Sequence, residues 1–249
     1  MSLYGLVGRT LQHSFSKQYF SEKFEKENRK GHIYELFELK DISEIDALRE
    51  KSSLKGFNVT IPYKEEIFPY LKFVEENAQR IGAVNVVKIV GGQFYGYNTD
   101  FFGFKESLKN WSIGQLDDQS ALVLGTGGAS KAVVAGLNSL GISNYLVSRA
   151  KSGDIMGYED LTREIMEKNK LIVNTTPLGM SPNLESRPEL PYEFITAEHW
   201  MYDLVYNPEE TLFLQLGKQK GARTKNGLEM LFLQAEKSWE IWQNQNNDS

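Results

Sequence analysis

Lysine is an uncommon residue in the first turn of a helix. In Ile61-Pro62-Tyr63-Lys64, proline suits a helix start and Thr60 stands near the cap position, with Glu65, Phe68 and Leu71 expected to continue the helix. The positive end of the helix dipole disfavours a second positive charge there, so Lys64, behind polar Asn58 and Thr60, hints at an acid/base group. An exposed lysine meets the same local evidence. Asp100, at the start of the helix that follows Asn98-Thr99, fits its first turn electrostatically and needs no chemical role on that ground. Ser14 and Ser16 would point the same way on an extended backbone and could bind the two oxygens of a carboxylate. Serine is equally a preferred helix cap, and local evidence alone favours Ser16 in that role.

A second kind of chemistry is legible at Ala121-Leu122-Val123-Leu124-Gly125-Thr126-Gly127-Gly128, an apolar strand that turns on glycines into a helix running to about Leu140. Gly125 allows a tight turn, and Gly127 and Gly128 let bare backbone approach a pyrophosphate that the helix amides then face. Ser130 stands where a third glycine is usual, and a methyl-donor site or a ligand-free turn would read similarly. The next strand, Asn144 to Ser148, ends in Ser148-Arg149-Ala150-Lys151 rather than in the acidic residue that holds ribose hydroxyls in NAD enzymes. A cation here suits a 2′-phosphate and leans toward NADP; the alternative is a solvated Arg/Lys pair.

These groups need a scaffold of strands and helices. Tyr4–Gly8, His32–Leu39 and Gly56–Thr60 read as strands, with a helix bearing Tyr19, Phe20 and Phe24 and another over Ile42–Glu50 between them. Ala83–Val90, a Gly91-Gly92 turn and Gln93–Tyr97 form a hairpin signal in which Asn85 is the polar residue. A helix to about Lys109 then crosses over, and the polar loop Gln115–Gln119 precedes the glycine strand. Further on come a helix near Tyr158–Lys168, strands at Leu171–Asn174, Trp200–Tyr206 and Ala222–Thr224, and a helix at Thr211–Lys218. The last helix starts at Gly227 and stacks Leu228, Leu231, Phe232, Ala235, Trp239 and Trp242 on one face. Thr175 to Met180 sits at the carboxyl end of its strand, where open α/β sheets bind ligands.

Composition narrows the classes. The chain has 249 residues, 41% hydrophobic and 24% charged, enough for two modest domains. With no cysteine, disulfides and thiolate chemistry are absent. His13, His32 and His199 have no partners at ligand spacing, so no metal is expected. A net charge of −5 argues against a nucleic-acid partner. No leader or membrane-length apolar run is visible, which suggests a cytoplasmic protein; the tail from Gln243 is expected to fray.

In this order the pieces resemble the shikimate dehydrogenase family over essentially the whole chain. The resemblance is carried by Ser14-Phe15-Ser16, Asn58-Val59-Thr60-Ile61-Pro62-Tyr63-Lys64, Gly82-Ala83-Val84-Asn85, Gly96-Tyr97-Asn98-Thr99-Asp100-Phe101-Phe102-Gly103, the glycine turn, Asn174 to Met180, and Gly227-Leu228-Glu229-Met230-Leu231 ending at Gln234. It implies an α/β fold of two domains. One is a substrate domain with a mostly parallel sheet over residues 1–104, joined by the helix from about 227 to 249; the other is a Rossmann-like NADP domain over 105–226.

The implied reaction is the reversible NADPH-dependent reduction of 3-dehydroshikimate to shikimate, on the way to chorismate and the aromatic amino acids, by a monomer or homodimer. Lys64 and Asp100 would be the catalytic pair, titrating as a coupled unit. Ser14 and Ser16 would hold the carboxylate, and Thr60, Asn85, Asp100 and Gln234 the ring hydroxyls, with Asn58 and Tyr206 nearby. Gly127, Gly128 and Ala129 would cradle the pyrophosphate, Ser148 and Arg149 the 2′-phosphate, and Thr175, Gly227 and Met230 the nicotinamide end.

The chain departs from the family pattern at Lys17, at Tyr19-Phe20, at Val86 and at Ser148-Arg149-Ala150, after which a helix usual in the family is cut away. A quinate/shikimate dehydrogenase using NAD or both cofactors is the nearest rival. A noncatalytic sensor of nucleotide and small acid, or a methyltransferase-like protein, are readings of other classes.

Overall fold

A computed structural model of the chain describes residues 1–11, 14–112, 115–116 and 119–244. The readings that fall on His13, Asp117-Asp118 and the Gln245–Ser249 tail lie outside them. The chain divides into two compact units, one of residues 1–99 with 235–249 and one of residues 100–234.

The first unit is built on β1 (Ser2–Gly8), α1 (Phe15–Lys26), β2 (His32–Glu38), β3 (Leu54–Val59), α2 (Tyr63–Glu66), β4 (Phe73–Val74), α3 (Glu76–Ile81), β5 (Val86–Val90) and β6 (Gln93–Tyr97). Its six-stranded sheet runs β2-β1-β3-β5-β6-β4, parallel from β2 to β3 and antiparallel across β5. Alternation along β1 covers both faces. Leu3 and Val7 join a core with Ile45, Phe57, Tyr63 and Phe94, while Tyr4 and Leu6 join Phe20, Phe24, Tyr34, Trp239 and Trp242.

Several local expectations are corrected. Ser14, extended at φ −82° and ψ 112°, caps α1 by accepting from the Lys17 amide, and Ser16 lies inside the helix, so the two serines do not alternate on a strand. Residues Ile42–Glu50 form a 3₁₀ rather than an α-helix, capped by Asp41. The helix expected to start at Pro62, near a Thr60 cap, and run on through Leu71 has Pro62 as its N-cap, is α only over Tyr63–Glu66 and passes into a 3₁₀ turn at Phe68–Tyr70, because Pro69 has no amide to continue it. β5 begins at Val86, with the Asn85 backbone still bonding Tyr97 and Val59 on its two sides.

The second unit holds α4 (Thr99–Ser112), which starts one residue earlier, β7 (Ser120–Leu124), α5 (Gly128–Ser139), β8 (Ser143–Val147), α6 (Arg163–Lys168), β9 (Leu171–Asn174), β10 (Trp200–Asp203), α7 (Leu212–Gln219) and β11 (Arg223–Lys225). Its five strands are all parallel in the order β11-β10-β9-β7-β8. Successive strands after β7 therefore go first to one side and then to the other, and the order reverses between β7 and β9. Ligands of doubly wound sheets bind at such a switch point.

Here too both faces are covered, Leu122, Ile172 and Met201 facing Phe213 and Leu214, and Val123, Val173 and Tyr202 facing Phe104 and Val133. The helix expected over Tyr158–Lys168 is split into a 3₁₀ turn and α6, because Thr162 is extended and caps the second piece. β10 stops at Asp203, not Tyr206, where the aspartate side chain captures the Val205 amide.

The last helix, α8 (Leu228–Gln243), contributes Met230 to a core of the second unit and Ala235, Trp239 and Trp242 to a core of the first. Its apolar stripe is displaced from the expected one. Leu228 and Phe232 are exposed, and polar Gln234 and Ser238 are buried. Trp242 packs so closely on β3 that a Cβ at Gly56 would stand 2.3 Å from the indole, whose Nε1 donates to the Val87 carbonyl.

Candidate active site

In the first unit, short backbone ties gather the segments that carry the expected substrate residues. The Val84 amide donates to the Lys64 carbonyl at 2.8 Å, the Val59 amide to the Asn85 carbonyl at 2.8 Å and the Thr60 amide to the Val7 carbonyl at 2.9 Å. Lys64 thus stands half-buried in the four-residue α2, a helix too short for a full dipole, beside the Ala83–Asn85 segment.

Asn58, Asn85 and Ser16 meet through side chains that the sequence reading passed over. The Tyr34 hydroxyl donates to Asn58 Oδ1 at 2.7 Å, with Ser16 near it. Asn58 Nδ2 donates to Ser238 Oγ at 3.1 Å, and Ser238 Oγ lies 3.1 Å from Thr99 Oγ1. Asn85 closes the chain, its Oδ1 accepting from the Thr99 amide at 2.7 Å and its Nδ2 donating to Thr99 Oγ1 at 3.1 Å. Burial lifts the Tyr34 phenol well above its usual range, so the network carries no charge at neutral pH.

In the second unit, the glycine turn joins β7 to α5. Gly125, at φ +106°, is in a conformation other residues rarely adopt, and a Cβ there would stand 2.9 Å from Thr175 Oγ1. Gly127 is the N-cap of α5, with no side chain serving the cap, and space is open where Cβ atoms of Gly127 and Gly128 would stand. Backbone at Gly127, Gly128 and half-buried Ala129 can therefore meet a phosphate group directly, as a dinucleotide requires. Ser130 fills the third glycine's place by folding its hydroxyl onto the Gly127 carbonyl at 2.6 Å, which leaves it 2% exposed and no obstacle to helix packing.

Past β8, the Ser148 amide donates to the Met156 carbonyl and Arg149 is exposed, whereas Lys151 is engaged by Asp160 at 2.7 Å. Of the two cations, Lys151 is the one paired with an acid.

At the ends of β9 and β10, Thr175 donates its hydroxyl to the Leu124 carbonyl at 2.6 Å and Gly227 donates its amide to the Val205 carbonyl at 3.3 Å. Gly227 also needs to be glycine, since a Cβ would stand 2.2 Å from the Leu204 carbonyl oxygen. The Met230 carbonyl lies 2.6 Å from the Cβ position of Gly103, so α4 and the start of α8 touch backbone to backbone. Gln234 is buried and donates to the Leu231 carbonyl; Tyr206 is half-buried, which raises its phenol. Asp100 lies half-buried in the first turn of α4.

Residues 6–87 match the family model of the shikimate dehydrogenase substrate binding domain. Over 252 residues the chain is 39% identical to the shikimate dehydrogenase (NADP(+)) of Clostridium beijerinckii, with 98% of this chain and 92% of the relative covered. The chain belongs to the shikimate dehydrogenase family. Two solved members of that family bear the same architecture. Shikimate dehydrogenase 1 of Peptoclostridium difficile matches with a TM-score of 0.83 at 41% identity, covering 100% of this chain and 94% of its own. The Thermus thermophilus enzyme in complex with NADP(H) and shikimate matches with a TM-score of 0.84 at 31% identity, covering 98% and 94%.

Within this shikimate dehydrogenase family chain, the first unit contains Ser14, Ser16, Asn58, Thr60, Lys64 and Asn85, and the second contains Asp100, Tyr206, Gln234 and every expected cofactor residue. The sequence reading gave no role to Tyr34, Ser238, Asn174 or Asp203. Tyr34 and Ser238 sit in segments read for their apolar periodicity. Asp203 interrupts an otherwise apolar strand, a signal of the same kind that singled out Asn85.

Proposed function

We propose that this protein is an NADP-dependent shikimate dehydrogenase of the cytoplasm, reducing 3-dehydroshikimate to shikimate reversibly on the way to chorismate. The observation that carries the reading is the full-length likeness to a solved relative bound to NADP(H) and shikimate, reaching across both units. Ser14 and Ser16 take the substrate carboxylate, and Thr60, Asn85 and Gln234 its ring hydroxyls, with Asn58 and Tyr206 beside them. NADPH, when bound, supplies the hydride that the ketone carbon receives. Lys64 gives its proton to the carbonyl oxygen as that oxygen gains charge, and takes it back from the alcohol in the reverse direction. Asp100 is its carboxylate partner. Gly125, Gly127, Gly128 and Ala129 meet the pyrophosphate, Ser148 and Arg149 the 2′-phosphate, and Thr175, Gly227 and Met230 the nicotinamide end.

The test is the absorbance of the reduced cofactor at steady state, with 3-dehydroshikimate in one direction and shikimate or quinate in the other, using NADP and NAD in turn. Turnover with shikimate and NADP supports the proposal. Turnover with quinate and NAD that survives Arg149→Ala would turn it toward the quinate/shikimate type. Cofactor binding without turnover of any of these acids would leave a sensor.

A further inference from the structure

A carboxyl group that plays no part in this scheme lies between the two loops that hold the nicotinamide-end residues. Asp203 is 0% exposed at the end of β10. Its Oδ1 accepts from Asn174 Nδ2 at 2.9 Å and from the Val205 amide at 3.0 Å, while its Oδ2 accepts from Thr211 Oγ1 at 2.5 Å. Asn174, also 0% exposed, passes the constraint on, its Oδ1 accepting from the Thr176 amide at 3.0 Å and from Thr176 Oγ1 at 2.6 Å. On the other side the Val205 carbonyl receives the Gly227 amide, and Thr211 caps α7. One carboxylate oxygen thus joins the strand that leads into Thr175 to the loop that carries Tyr206 and seats Gly227.

We propose that Asp203 is a positioning residue for catalysis, fixing the spacing of the Thr175 and Val205–Gly227 loops so that the nicotinamide end is held in one place. The proposal rests on the dehydrogenase reading given above. Burial of a carboxyl is unfavourable unless its oxygens are satisfied, and here a hydroxyl, an amide side chain and a backbone amide satisfy them without any cation. Around it, the charged groups of the neighbouring elements are engaged elsewhere: Lys225 with Glu229, Arg223 with Gln115 and Lys218 with Glu210. His199, just before β10, bonds Thr196 and Met166; Tyr192 is half-buried and donates to the Pro188 carbonyl, and Tyr202 bonds Ser107. Burial pushes the Asp203 carboxyl up to about 7.

The test compares Asp203→Ala, Asp203→Asn and Thr211→Val in the full chain. Asn keeps an acceptor for Asn174 and Val205 and offers its amide to Thr211 Oγ1, so it should behave nearly as the parent. Asp203→Ala should weaken NADPH binding, read by its fluorescence, and lower kcat, each by about tenfold, the scale of small misplacements, while the KM for shikimate stays within about twofold. Thr211→Val, which leaves the loop bonds to Oδ1 intact, should fall between. In the protein without cofactor, amide hydrogen exchange at Thr176 and Val205 should quicken in Asp203→Ala and not in Asp203→Asn.

A folded Asp203→Ala protein with unchanged NADPH affinity and kcat overturns the proposal, as does a loss in Asp203→Asn equal to that in Asp203→Ala. Lowered stability with intact kinetics also overturns it, since that is support of the fold alone. If the parent binds NADPH but reduces no 3-dehydroshikimate, the dehydrogenase reading fails, and NADPH affinity and exchange still decide the role of Asp203. A parent that binds no NADPH sinks both.

Discussion

Each unit buries a polar network, and the two are built from different chemistry. In the first, Tyr34, Asn58, Ser238, Thr99 and Asn85 exchange hydrogen bonds through hydroxyls and amides. In the second, Asn174 and Thr211 converge on a carboxyl, Asp203. A neutral network keeps its bonds at any pH near 7, and it places the expected substrate donors without adding charge beside Lys64. The carboxyl accepts three bonds at once, which no hydroxyl or amide oxygen does as strongly, but ties the geometry to a proton.

The largest effect expected concerns the group that the neutral network leaves to carry the proton. Lys64→Ala should lower kcat by about 10²–10⁴-fold, the usual scale of general acid–base help, with little change in NADPH affinity. Unchanged turnover would remove the chemistry from the first unit altogether.

Next in size is the pH dependence of stability that the contrast implies. Burial raises the Asp203 carboxyl from 3.8 to about 7, so between those values the folded chain holds a proton that the unfolded chain has released. Stability therefore falls as pH rises through that window, by at most about 1.4 kcal/mol per unit and about 4 kcal/mol in all, and levels above it. Urea unfolding at successive pH values should show this slope in the parent and a flatter one in Asp203→Asn. Equal slopes would mean that Asp203 does not titrate there, and the second network would be as indifferent to pH as the first.

Much of this was readable before any coordinates. Strand and helix order follow from periodicity, and the glycine turn is legible because Gly125 has a conformational duty that is local. What escaped the reading depended on partners distant in sequence. Tyr34 looks like one more aromatic in an alternating strand until Asn58 stands beneath its hydroxyl, and Ser238 like a neutral residue of a helix face until Thr99 and Asn58 bracket it. The displaced stripe of α8 has the same origin, since its polar residues are buried by what they bond. The 3₁₀ character of Ile42–Glu50 has no sequence signal that we can name.

Beyond both networks lies exposed Arg149, and it sharpens the comparison by standing outside it. Arg149→Ala should raise the KM for NADP about tenfold, near 1.4 kcal/mol, and leave that for NAD and for shikimate alone. Lys151→Ala should do less, because Asp160 already holds that ammonium. An equal loss with both cofactors would show that Arg149 supports the loop rather than the 2′-phosphate.

The smallest effect tests the neutral network at its most distant member. Tyr34→Phe keeps the ring that stacks on Phe20, with centroids 4.8 Å apart, and removes only the hydroxyl that donates to Asn58. Asn58 Oδ1 loses its donor, and an unmet buried acceptor costs about 1–3 kcal/mol, part of which local relaxation recovers. The KM for shikimate should therefore rise several-fold, on the scale of about 1 kcal/mol, while NADPH affinity and the pH slope of stability stay as in the parent. A change in NADPH affinity of the same size would join the two networks into one; an unchanged KM with lowered stability would reduce the first to a support of the fold.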